Sequence, residues 1–126
     1  MRIVYAGIGW AIVALGLTHI VATPHYFGEL TSRAVWFVSG GLALALAGAM
    51  NLANHAYGAT ARGLRWLTFG SNAVMGAFGA FAGAVNRAAV WQFTLVLGLF
   101  LSALVLSCTD AALKTPGRSL KGPGDR

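Results

Sequence analysis

Charge is scarce in this chain and acid scarcer still: three Asp and Glu residues stand against nine Lys and Arg among 126. Charged residues are 10% of the composition, against about a quarter in soluble domains, while 57% is hydrophobic. The single cysteine, Cys108, excludes an internal disulfide and reads as a small packing residue near one membrane face. No Gly-x-Ser-x-Gly nucleophile elbow occurs, and the glycines follow helical spacing rather than a phosphate-binding loop. No acid lies in any long apolar run, which argues against a proton-coupled exporter that depends on an acid inside its first span.

What the chain does have is four long apolar runs, roughly 3–23, 34–53, 66–85 and 88–109, with no Lys, Arg, Asp or Glu inside any of them. Each is close to the ~20 residues that a helix needs to cross the hydrocarbon core. The expected fold class is all-α: a polytopic membrane protein with four transmembrane helices in an antiparallel bundle. Residues 1–113 form that domain and 114–126 a basic, disordered cytoplasmic tail carrying Pro116, Gly117, Gly122, Pro123 and Gly124. The first run is too long for a signal peptide's apolar region, and Ile20-Val21-Ala22 is a poor cleavage site, so it reads as an uncleaved span.

The cations give the orientation. Arg2, Arg62, Arg65, Lys114, Arg118, Lys121 and Arg126 lie at the N-terminus, in the second loop or in the tail, whereas Arg33 and Arg87 alone occupy the first and third loops. By the positive-inside rule both termini are cytoplasmic, which points to a bacterial inner (plasma) membrane. The net charge of +6 is then topogenic, and no nucleic-acid partner is implied.

Proline disfavours helix in the residue before it, so the first span is expected to end near Thr23-Pro24, with Ser32 capping the second helix and Asn54–Arg62 forming the cytoplasmic loop. Small and polar residues recur at steps of 3 and 4, which places them on one helix face. The first span carries Gly9, Ile12, Gly16 and His19, the second Gly41, Ala45, Gly48, Asn51 and His55. The third carries Asn72, Gly76, Gly79, Gly83 and Asn86, the fourth Thr94, Gly98 and Ser102. In lipid, small residues mark helix contacts. Gly41, Gly48, Gly76, Gly79 and Gly83 are therefore packing positions, and Phe93, Leu97, Phe100 and Leu104 are expected to face lipid. Trp36, Trp66 and Trp91 sit near span ends as interfacial anchors, and Trp10 lies deeper, where it could pack on a neighbour.

Two polar groups remain. The outer one holds His19, Asn86 and Gln92, with His25, Glu29 and Arg33 in the loop above; Glu29 and Arg33 read as a weak surface pair. The inner one holds Asn51, His55 and Asn72, with Asp110 nearby. Polar side chains at membrane depth are costly unless paired, and Asn51 with Asn72 could satisfy each other across two helices. His19, His25, Glu29, Asn86 and Gln92 are the ligand-binding candidates, and the first three could supply an open metal site if they converged. His19 and His55 fall most of a bilayer apart, too far to share one haem iron. No catalytic set emerges and no cofactor is specified.

The leading expectation is a non-catalytic accessory or structural subunit, packing against a larger membrane complex or against itself. The alternatives are a small-molecule, lipid or quinone binder or transporter acting through the outer polar group around His19, and a membrane oxidoreductase component with metal or haem at His19 and His25.

Overall fold

The computed structural model describes residues 1–85 and 89–114. They form an all-helical chain: α1 (Arg2–Tyr26), α2 (Ser32–Tyr57), α3 (Arg62–Val85), α4 (Val90–Ser107) and a short 3-10 turn, η1 (Asp110–Ala112). By length and composition α1, α2 and α4 are long and apolar enough to cross a membrane. α3 is long but less apolar, because Arg62, Arg65, Thr68, Ser71 and Asn72 fill its first half.

α1, α2 and α3 outrun the apolar spans that announce them, whereas α4 falls inside its own. α1 continues through Pro24 to Tyr26. Proline in a last turn forfeits a single backbone hydrogen bond, and Phe27 N–H closes the helix onto Thr23 O at 2.9 Å. The cap of α2 is Thr31, not Ser32: Thr31 is extended and its hydroxyl accepts from Ala34 N–H at 3.3 Å. α2 runs on through Asn54 and His55 to Tyr57, so the turn to α3 is only residues 58–61. Asn54 and His55, expected at the start of a loop, are instead buried helix residues.

α1 and α2 pack along most of their length, backbone against backbone. A Cβ added at Gly16 would lie 2.5 Å from both Ala45 N and Gly41 O, and one at Gly48 would lie 2.6 Å from Val13 N. Gly9, Gly16, Gly41 and Gly48 are accordingly buried, and Ile12 meets Leu44 and Ala47 in the core. Only glycine permits this approach.

α3 and α4 pair differently. The glycine face of α3 receives bulky side chains from α4: Phe100 against Gly76, Val96 against Gly79 and Phe93 against Gly83. Phe100 is 1% exposed, which corrects the expectation that Phe93 and Phe100 face lipid. The small residues of α4 point the other way, with Thr94, Gly98 and Ser102 exposed and nothing within 4 Å of a Cβ placed at Gly98. A glycine groove accepts a phenyl ring better than another flat face does, and the helix rotates accordingly. Trp10 is likewise exposed, as are Trp36, Trp66 and Trp91.

Burial is lopsided. α1 and α2 have buried residues from one end to the other, but on α3 only Thr68 and Asn72 are buried, and on α4 only Phe100, Ala103 and Ser107. The α3–α4 hairpin is thus held at the end where Met1, the 58–61 turn and η1 gather. At the opposite end, near the 27–31 loop, its described residues meet chiefly each other.

Candidate functional site

Towards the end where Met1, the 58–61 turn and η1 gather, four helices meet through a buried chain of hydrogen bonds, assembled from the first turns of α1, the first half of α3 and the last turns of α2 and α4. Two backbone carbonyls, which can only accept, set its direction. Ser107 O accepts from Asn54 Nδ2 at 3.2 Å, and Ala47 O accepts from Asn51 Nδ2 at 2.9 Å, which fixes both amide orientations. Asn54 Nδ2 also donates to Tyr5 Oη at 2.8 Å, and the Tyr5 hydroxyl donates onward to Asn51 Oδ1 at 2.9 Å. Asn51 and Asn72 complete it with a reciprocal amide pair at 2.8 and 2.9 Å, bonding α2 to α3.

Tyr5, Asn51, Asn54 and Asn72 are each no more than 1% exposed. Among the described residues, Asn54 Oδ1 is the one buried side-chain polar atom without a hydrogen-bond partner. It faces the α-carbon of Gly58, where any side chain would collide with it. That contact suits a weak C–H···O interaction and leaves no room for a water.

The 107–114 segment is strapped over this network. His55 Nδ1 bonds Ala112 O at 2.8 Å, so Nδ1 carries the proton, and Lys114 N–H returns to His55 O at 2.9 Å. Ala112 and Leu113 are buried against Tyr5, whose ring meets His55 edge-on at 6.0 Å. Outside, Arg65 donates to Cys108 O at 2.7 Å and pairs with Asp110 at 2.7 Å. Asp110 is 88% exposed, so that ion pair adds little stability. The network contains donors and acceptors but no carboxylate or nucleophile at its centre. Its chemistry is that of a joint.

The outer candidates are placed quite differently. His19 is half-buried; its Nδ1 donates to Leu15 O at 3.0 Å and its ring stacks on Phe37 at 4.8 Å and 24°. Tyr26 and Phe27 flank Phe37 at 6.0 and 5.7 Å. His25 is exposed and turns its ring to Tyr26 at 5.6 Å; Glu29 and Gln92 are exposed too. Asn86 lies outside the described residues, as do 115–126 of the tail. The structure does not bring His19, His25 and Glu29 together: among the described residues no group of three or more His, Cys, Asp or Glu could hold a metal ion. Glu29 and Arg33 form no ion pair; among those residues the ion pair is Arg65–Asp110.

Sequence reasoning missed Tyr5, Asn54, Ser107 and Arg65. The signal for Tyr5 was its place at the head of the helical stripe continued by Gly9, Ile12 and Gly16, and that for Asn54 its position one step of three beyond Asn51. Compared with protein-family models, curated proteins and solved structures, the chain matches none.

Proposed function

We propose that this protein is a four-span integral protein of a bacterial inner membrane, both termini cytoplasmic, acting as an accessory or structural subunit that packs against a larger membrane complex or a second copy of itself. The observation that carries the reading is the lopsided burial. One hairpin is packed along its length, while the other is locked at one end and leaves its remaining faces open. Those faces include Val74, Phe78, Phe81 and Val85 on α3 and the small-residue edge of Thr94, Gly98 and Ser102 on α4. A shallow apolar cleft of about 410 Å³ between α1 and α4, lined by residues such as Ile8, Leu101 and Ser102, continues that edge. In lipid, small residues on an exposed helix edge let another helix approach closely.

Native mass spectrometry of the protein extracted in mild detergent tests this. A second polypeptide or a homo-oligomer is expected, and Gly98→Leu, at an exposed position where a Cβ finds nothing within 4 Å, should reduce that species while leaving the monomer folded. A monomer at all concentrations counts against it.

A second reading, a small-molecule, lipid or quinone binder at His19, is favoured by one observation: the ring is held on two sides while Nε2 has no partner among the described residues. The oxidoreductase reading with His19 and His25 as joint ligands has no such support, because the two rings pack on different neighbours.

A further inference from the structure

His19 is held more firmly than a lone polar residue on a helix face needs to be. Leu15 O can only accept, so Nδ1 carries a proton, and in the neutral imidazole Nε2 then presents a bare lone pair. Phe37 fixes the ring plane at 4.8 Å. Gly41 supplies the room: a Cβ there would come within 3.0 Å of His19 Cβ. Nε2 is not among the fully buried unpartnered atoms, so part of its surface is accessible on this half-buried residue.

On the reading that α1 crosses the bilayer, His19 lies about 10 Å along the helix from Tyr26, at 1.5 Å per residue, below the headgroups. An unpaired acceptor there is costly, and it selects its partner by chemistry. Phospholipid ester carbonyls cannot satisfy it, because they too only accept. What it requires is an O–H or N–H carried to that depth on an apolar body. The neighbouring Phe37, Tyr26 and Phe27 rings favour a body that is itself a flat ring.

We infer that His19 Nε2 accepts a hydrogen bond from the hydroxyl of a membrane-dissolved hydroquinone, whose ring rests against the aromatic group around Phe37. The site is an open helix face rather than a pocket, as suits a ligand arriving sideways through lipid. The fixed tautomer makes the site selective for redox state. A hydroquinone donates O–H, whereas the oxidised quinone has only carbonyl acceptors that meet the Nε2 lone pair with repulsion.

This inference rests on the membrane reading and deepens the binder reading above, and the experiment separates their failures. Carbonate washing of membranes comes first: release of the protein overturns the membrane reading. Retained protein, reconstituted full-length in nanodiscs, is then titrated anaerobically with decyl-benzohydroquinone and with the matching quinone. Hydroquinone is expected to bind about tenfold more tightly, the weight of one modest hydrogen bond. His19→Phe, which keeps the stack on Phe37, should abolish that preference, and His25→Ala should retain it. As a readout independent of any variant's folding, the 15N resonance of His19 Nε2 should shift with hydroquinone and not with quinone. Equal affinity for the two forms, no binding of either, or a preference that survives His19→Phe overturns the inference while leaving the membrane reading intact. So does a resonance that responds to zinc alone.

Discussion

Tyr5 is the residue on which the buried network turns, because its hydroxyl both receives from Asn54 and donates to Asn51. Tyr5→Phe keeps the ring and removes one hydrogen bond from each of two buried amides, leaving Asn54 Nδ2 its bond to Ser107 O and Asn51 Oδ1 its bond from Asn72. Loss of about 1–2 kcal/mol is expected, measured by unfolding in mixed micelles, near the upper end for polar contacts in membrane helices. Gly58→Ala should be at least as harmful despite the methyl's small size, since the new carbon displaces Asn54 Oδ1. If Gly58→Ala is neutral, that contact has been misread. The pairing of Asn51 with Asn72 was legible from helical spacing and the cost of burying an amide. The role of Tyr5 was not, because a tyrosine near a span end reads equally well as an interfacial anchor.

Glycines on these helices divide by what lies opposite them, and the division can be tested. Gly16 and Gly48 face backbone, which cannot move aside without parting α1 from α2. Gly16→Ala and Gly48→Ala should each destabilise by several-fold more than Tyr5→Phe in the same unfolding assay. Gly7, Gly40, Gly70 and Gly98 face open space, so alanine there should be neutral or stabilising, by up to about 1 kcal/mol from helix propensity. Similar effects in the two groups would refute the close packing of α1 on α2. The stripes on α1, α2 and α3 were readable in the sequence because small residues at steps of 3 and 4 leave few other faces to bury. α4 was not, because two patterns competed there, a small-residue edge and a phenylalanine edge. The glycines of α3, a separate helix, decided between them. The ends of α1 and α2 were misjudged because Pro24 and the polar pair Asn54-His55 read as stops, whereas α1 runs through Pro24 to Tyr26 and α2 turns Asn54 and His55 inward.

For the molecule as a whole the central question is which end faces which compartment, and the chain carries its own probe. Cys108 is the only cysteine, is exposed, and lies at the same end as Met1 and the 58–61 turn. A membrane-impermeant maleimide should label it in inverted vesicles and leave it untouched in intact spheroplasts. The reverse pattern would overturn the cytoplasmic placement of both termini. The all-helical class was readable at this level, because long apolar runs leave little else for the chain to form, and α1, α2 and α4 are long and apolar enough to cross a membrane. Function was not, since exposed apolar faces that would satisfy lipid are made of the same residues that would satisfy a protein partner.

The buried network also has a history in time. Its members come from near the start of the chain, Tyr5, from the middle, Asn51, Asn54 and Asn72, and from near its end, Ser107 and Ala112. During synthesis the first hairpin can pack on its glycines as soon as α2 has emerged, and Asn51 can pair with Asn72 once α3 follows, but the bonds to Ser107 O and Ala112 O wait for the end of α4 and for η1. Until then Asn54 and His55 lack their carbonyl partners. On the membrane-spanning reading, an unfinished chain carries unpaired amide groups among apolar helices, a mark that would distinguish it from one in which the joint has closed.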